Sequence, residues 1–128
     1  MCASNFRGEN QIIDKNTKLF ILYKMLSKYK VYEITRKIPK GKVATYKQIA
    51  SLAGNPNASR FVGMCMRTNP DIPATPCHRV VGVDGAMHGY SAKGGIALKI
   101  QMLKKEGVYF RDDKVDLSKS QWNGILIN

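Results

Sequence analysis

The chain has 128 residues, 44% hydrophobic and 23% charged, a composition that allows one folded domain with a modest core and excludes an intrinsically disordered chain. Twenty-one lysines and arginines against nine aspartates and glutamates leave a formal charge of +12. That excess favours polyanionic partners, nucleic acid first, because each neutralised phosphate releases counterions. Cys2, Cys65 and Cys77 form no even framework and no CxxC pair, which excludes a disulfide scaffold and suits a reducing compartment, the cytoplasm or, in a eukaryote, the nucleus.

Residues 1–16 are polar and read as loose. The apolar run 19–23 lies between Lys18 and Lys24 and falls far short of the roughly 20 residues that a membrane span requires. Neither an anchor nor a signal peptide is expected. Residues 17–28 read as a short helix with Leu19, Leu22, Met25 and Leu26 on one side. A second helical segment carries Val31, Ile34 and Ile38 until Pro39 and Gly41 stop it. On this reading residues 1–28 are a leader with a short helix, and 29–128 form the domain with its C-terminal tail.

Residues 42–46 are extended and lead into a helix over 46–53. Thr45 is its N-cap, Gln48 completes a capping box, and Gly54 ends it. Asn55-Pro56-Asn57 makes a turn, and a second helix runs over 58–67 with Arg60 and Arg67 two turns apart. Two short helices around a tight glycine-containing turn are the helix-turn-helix pattern, which an ordinary helical hairpin also carries. Two prolines keep 73–79 out of a helix. Val80, Val81 and Val83 then approach Asp84-Gly85, a hairpin dipeptide that predicts a small β-hairpin wing. A last helix spans 95–105 with Ile96, Ile100 and Leu103 at helical spacing and Gly107 as its stop. In the tail, Val115, Leu117 and Trp122 are expected to pack back on the domain. The fold class expected is mostly α, a winged helix-turn-helix DNA-binding domain with a small β-hairpin wing.

Chemistry centres on Cys77. It follows Pro76 in a non-helical stretch beside His78 and Arg79. Imidazole and guanidinium neighbours lower a thiol pKa, and the thiolate is the nucleophile. The residue types alone equally suit a buried, inert cysteine beside a surface histidine. Glu106 closes the last helix, where the helix dipole disfavours a carboxylate. It is either a solvated helix end beside Lys104 and Lys105 or a carboxylate that orients His78 in a Cys–His–Glu relay. Cys65, Cys77, His78 and His88 show no metal-ligand spacing, so no metal is expected. Cys65 lies among Val62, Met64 and Met66 and reads as packing.

The segment Pro76-Cys77-His78-Arg79-Val80 resembles the active-site motif of the O6-alkylguanine-DNA alkyltransferases (methylated-DNA–protein-cysteine methyltransferases). Ile38-Pro39-x-Gly41, Thr45-Tyr46-x-x-Ile49-Ala50, Gly54-Asn55-Pro56, Arg60-x-Val62-Gly63, Asn69-Pro70, Gly89-Tyr90-Ser91 and Leu103-x-x-Glu106-Gly107 follow in family order over residues 29–122. The resemblance implies irreversible transfer of the alkyl group of O6-alkylguanine to Cys77, with Asn69, His78 and Glu106 completing a hydrogen-bonded network. It implies that His78 draws the thiol proton through a water, polarised by Glu106. It further implies DNA contact from the minor groove through Tyr46 and the second helix, where Met64 and Arg67 also lie. Arg60 would fill the gap left by the extruded nucleotide. Tyr46 resembles the tyrosine that pushes the 3′ phosphate and contacts the flipped guanine. Val80, Tyr90 and Ser91 resemble the pocket that reads that guanine, with Lys99 behind it. The partner implied is duplex DNA carrying O6-alkylguanine, met by a monomer without cofactor or metal.

The sequence departs from the family's usual pattern at three places. Only about 28 residues precede the region of resemblance, where most alkyltransferases carry a whole N-terminal domain. Such shortness is typical of alkyltransferase-like proteins, lesion-binding sensors with tryptophan at the acceptor position. Met64 stands where a small residue is usual, and the stretch 92–95 is longer than in common relatives. A sequence-specific regulator is disfavoured, because Phe61, Val62, Gly63 and Met64 offer few polar groups to read bases.

Overall fold

The computed structural model describes residues 14–88 and 92–125, with the side chains of 20–26 left outside that description. One long helix, α1 (Lys15–Arg36), replaces the two expected segments. No glycine or proline falls between 17 and 36, so nothing interrupts the hydrogen-bond ladder at the expected boundary near residue 28. Asp14 caps α1, accepting from Thr17 N–H at 2.7 Å. Val31 and Ile34 are buried on it, with Ile38 just beyond its end. Leu19 is exposed, and Leu22, Met25 and Leu26 lie among the side chains not described.

Strand β1 (Ala44–Thr45) runs directly into α2 (Tyr46–Leu52). The expected capping box is present: Gln48 N–H donates to Thr45 Oγ1 at 3.0 Å, and Thr45 N–H to Gln48 Oε1 at 3.4 Å. Thr45→Ala should lower stability by about 1 kcal/mol, read as a shifted urea midpoint with an unchanged slope. Gly54 takes φ +104° after α2, a backbone conformation that an L side chain resists. The chain then turns into α3 (Ser59–Arg67), which packs on α2 and α1.

A 3₁₀ turn (Cys77–Arg79) leads to β2 (Val80–Val81), and α4 (Gly95–Lys105) follows with the bounds expected. After α4 come β3 (Phe110–Arg111), β4 (Lys114–Val115) and the short helix α5 (Leu117–Ser120). The mostly helical class with a helix-turn-helix and a little sheet holds, but the strands pair differently from the expectation. β2 pairs with β1, in parallel, in the register Ala44 to Val80 and Thr45 to Val81. The antiparallel hairpin is β3–β4, turning through Asp112 at φ +58°. Asp84-Gly85 does turn, with Gly85 N–H on Gly82 O and Gly82 N–H on Ala86 O, both 2.9 Å. Its outgoing arm has no strand partner among the described residues. Gly85 instead abuts Val115, whose N–H donates to Gly85 O at 2.9 Å, and a Cβ there would collide with the Val115 carbonyl.

The tail closes the domain. Val43 N–H donates to Ser120 O at 2.8 Å and Trp122 N–H to Val43 O at 2.7 Å, while Gln48 Nε2 donates to Trp122 O at 2.7 Å. Trp122 joins Val31, Ile34, Ile49, Val62, Cys65 and Cys77 in the main core. Val43, Val81, Leu103, Val108 and Val115 form a second cluster, against which Leu117 packs. Among the described residues no helix is long and apolar enough to cross a membrane.

Candidate active site and nucleic-acid interface

Cys77 opens the 3₁₀ turn and is 4% exposed. Its N–H donates to Thr75 O at 2.8 Å. Burial pushes the thiol above its ordinary range, opposed by a hydrogen bond from the Asn69 amide and by the positive charge of Lys99. The expectation that His78 and Arg79 would depress this pKa is therefore corrected. The turn gives these two neighbours another partner than the thiol. His78 and Arg79 both reach Glu106 at the end of α4.

His78 is 2% exposed, and its Nε2 lies 3.0 Å from Glu106 Oε2. Burial holds the imidazole below the usual histidine range, against the opposing pull of Glu106, so the ring is neutral at pH 7. A carboxylate only accepts, which places the proton on Nε2 and leaves the buried Nδ1 as the ring's acceptor nitrogen. Glu106 itself is gripped by Arg79, through Nε to Oε1 and through Nη2 to Oε2, both at 2.9 Å. Arg79 Nη1 donates to Ile38 O at 2.9 Å. Burial would raise the Glu106 carboxyl, but the bonds from Arg79 and His78 outweigh it and hold it below its usual value. The helix-end carboxylate is thus part of a hydrogen-bonded network and not a solvated terminus. Arg79 is the member that sequence reasoning missed, although its adjacency to His78 was the available signal.

Lys99 sits at 1% exposure on α4. Its Nζ donates to Val80 O at 2.8 Å and to His88 O at 3.3 Å, and burial lowers its pKa to about 8. It stays mostly charged at pH 7, near the thiol. Asn69 is buried, donating from Nδ2 to Thr75 O at 2.9 Å and accepting Asp71 N–H at 2.9 Å. Tyr46, at the start of α2, is half-buried. Its hydroxyl is pushed up to about 12 by burial and then by the nearby Cys77, so it remains a neutral phenol and a hydrogen-bond donor. The His88 ring meets Tyr46 edge-on with centroids 5.6 Å apart. Spacing alone gave no hint of that contact.

The structure thus gathers Cys77, Asn69, Lys99, Val80 and Tyr46 at one place and His78 with Glu106 beside it. Tyr90 and Ser91 lie outside the described residues. Arg60, Met64 and Arg67 stand apart from the thiol on the solvent face of α3, spaced at i, i+4 and i+7, while Val62, Cys65 and Met66 face the core. The positive charge of Arg67 is felt at Tyr46, which brings the outer face of α3 to the edge of the site.

A family model described as the 6-O-methylguanine DNA methyltransferase DNA-binding domain matches residues 27–108. Among curated proteins, the methylated-DNA–protein-cysteine methyltransferase of Homo sapiens is 46% identical over 77 residues, covering 60% of this chain and 36% of that protein. Its counterpart in Methanosarcina acetivorans is 43% identical over 77 residues, covering 60% and 48%. The chain therefore spans less than half the length of these relatives. Among solved structures, S. pombe Atl1 in complex with damaged DNA containing O6-carboxymethylguanine aligns at TM-score 0.66 and 30% identity, covering 77% of this chain and 96% of that one. Mycobacterium tuberculosis O6-methylguanine methyltransferase aligns at TM-score 0.57 and 38% identity, covering 62% and 47%. With the match running from the last turns of α1 through α4 and taking in every member of the thiol network, the chain belongs to the 6-O-methylguanine DNA methyltransferase family through its DNA-binding domain.

Proposed function

We propose that the protein repairs duplex DNA by accepting the alkyl group of O6-alkylguanine on Cys77 Sγ. The observation that carries this reading is a buried thiol under the influence of the Asn69 amide, beside a neutral His78 whose Nε2 is committed to a clamped Glu106. His78 Nδ1 takes the thiol proton through a water. The thiolate attacks the alkyl carbon, forming the S–C bond as the C–O6 bond breaks. The guanine released takes up one proton, which balances the one removed from sulfur. No cofactor enters this balance. The product is a thioether, whose S–C bond does not hydrolyse under physiological conditions, so each molecule acts once.

Access to a 4% exposed thiol requires the nucleotide to leave the base stack, at a cost of a few kcal/mol. In this reading α3 meets the minor groove, Arg60 fills the vacated space, Tyr46 contacts the extruded guanine, and Val80 with Tyr90 and Ser91 reads it. Phosphate contacts supported by the net charge of +12 make binding strongly dependent on salt.

The test is the intact mass of the protein after incubation with a duplex carrying one O6-methylguanine, run beside Cys77→Ala. One methyl group should be gained per protein, and none by the variant, which should still bind DNA. The likeness to Atl1 over 77% of the chain favours a second reading, a sensor that binds the lesion without transfer. A wild-type protein that binds the lesion tightly and keeps its thiol free would decide for that reading.

A further inference from the structure

The peptide between α3 and Cys77 has few backbone donors, since Pro70, Pro73 and Pro76 carry no N–H. One residue organises it. Thr75 is fully buried, its N–H donates to Asp71 O at 2.8 Å, and its carbonyl accepts Cys77 N–H at 2.8 Å. The same carbonyl accepts Asn69 Nδ2 at 2.9 Å. Thr75 Oγ1 accepts from Arg36 Nε at 3.0 Å and lies 3.5 Å from Asp71 Oδ2, to which it donates. Arg36 is the last residue of α1, and the body of that helix packs on α2 and α3. A surface guanidinium thereby holds a buried hydroxyl 39 positions away.

We propose that Arg36 is a positioning residue for the Cys77 thiol, acting through the Thr75 hydroxyl to hold the loop that sets Asn69 against sulfur. The proposal rests on the reading of Cys77 as alkyl acceptor. Arg36 does not touch the thiol. The groups that act on it are Asn69 from the loop and Lys99 from α4, with Tyr46 of α2 near it and His78 next to it in the turn. The Thr75 carbonyl holds both the Asn69 amide and the Cys77 backbone, so a shift of Thr75 changes where that amide lies relative to the thiol. Without the Arg36 bond, the buried Oγ1 keeps its donation to Asp71 and loses its own donor, and among the described residues nothing else ties this loop to α1 through the Thr75 side chain. The Asn69 bond favours the thiolate, so a looser loop leaves less thiolate at a given pH.

The experiment is the rate of Cys77 carbamidomethylation by iodoacetamide as a function of pH, with peptide mass mapping to separate Cys77 from Cys2 and Cys65. Arg36→Met and Thr75→Val should each move the midpoint to higher pH and slow the reaction at pH 7 by about three- to tenfold, where one unit of pKa is tenfold. The double variant should be no slower than the slower single one, and Thr75→Ser should restore the wild-type profile. A contact that only stabilised the fold would lower the melting temperature and leave the profile in place. An unchanged profile in Arg36→Met and in Thr75→Val, or a double variant slowed by the product of the two single effects, overturns the proposal. Iodoacetamide needs neither DNA nor alkyl transfer, so a wild-type protein that gains no methyl group would sink the proposed function and leave this result standing.

Discussion

Glu106→Gln is expected to lose about 3 kcal/mol of stability and to transfer alkyl groups about 10²- to 10³-fold more slowly than wild type. The substitution preserves shape and removes one charge. It turns a carboxylate that accepts three N–H bonds, two from Arg79 and one from His78, into an amide with one oxygen. Its NH₂ group must face a donor, whichever way the side chain turns. Arg79 and Glu106 are 17% and 12% exposed, dry enough that the guanidinium left without its counter-charge is costly. The rate falls because a proton acceptor loses its polarising partner, an effect of the size usual for general bases. The pH dependence follows in sign. The carboxyl is held below its unfolded value, so its contribution is fully present above the usual glutamate range and is lost as pH falls through the folded value. Stability differences between wild type and variant should therefore narrow below about pH 4. Urea midpoints across pH measure this, with single-turnover transfer rates alongside. Equal rates for the two proteins at pH 7 would remove Glu106 from the proton path.

Arg60→Ala should slow transfer from duplex DNA by about 30- to 150-fold, corresponding to about 2–3 kcal/mol of the cost of unstacking, and should leave the reaction with free O6-benzylguanine at the wild-type rate. Arg60 stands on the solvent face of α3 with Met64 and Arg67, away from the thiol network, so its removal disturbs none of the bonds around Cys77. The free base needs no extrusion and reports on the pocket alone. Comparable losses with both substrates would show that Arg60 supports the pocket and does not substitute for the displaced nucleotide.

Much of this architecture was legible where a local rule operates. The Thr45–Gln48 box, the left-handed Gly54 and the stop at Gly107 each mark a helix end by backbone chemistry that reads within four residues. The solvent face of α3 follows from helical spacing. What was not legible depends on distant partners. Strands β1 and β2 have two residues each and lie 36 positions apart in register, so no alternation could reveal their pairing. Lys99 stands on a helix between Ile96 and Leu103, where spacing alone reads a lysine as solvated and only the family resemblance set it behind the pocket; Ile96 is 44% exposed and Lys99 1%. Only the carbonyls of Val80 and His88, supplied by other segments, explain that inversion. The thiol pKa was misjudged for the same reason: adjacency in sequence made His78 and Arg79 charges for Cys77, whereas Arg79 is committed to Glu106, His78 is neutral, and burial prevails.

The bond pair that joins Val43 to Ser120 and Trp122 also sets the order in which the domain can be born. During synthesis α1, α2 and α3 emerge with the Asp14 and Thr45 caps and much of their core, but Trp122 fills a place in that core from nearly eighty residues beyond Val43. Contacts of such long separation form late and slowly. A nascent chain halted within α4 would display the helix-turn-helix with its apolar underside uncovered and the Val43 backbone, just ahead of β1, without Ser120 and Trp122 to bond. The helices would be present on the ribosome well before the finished domain, and docking of Trp122 would be the event that seals it.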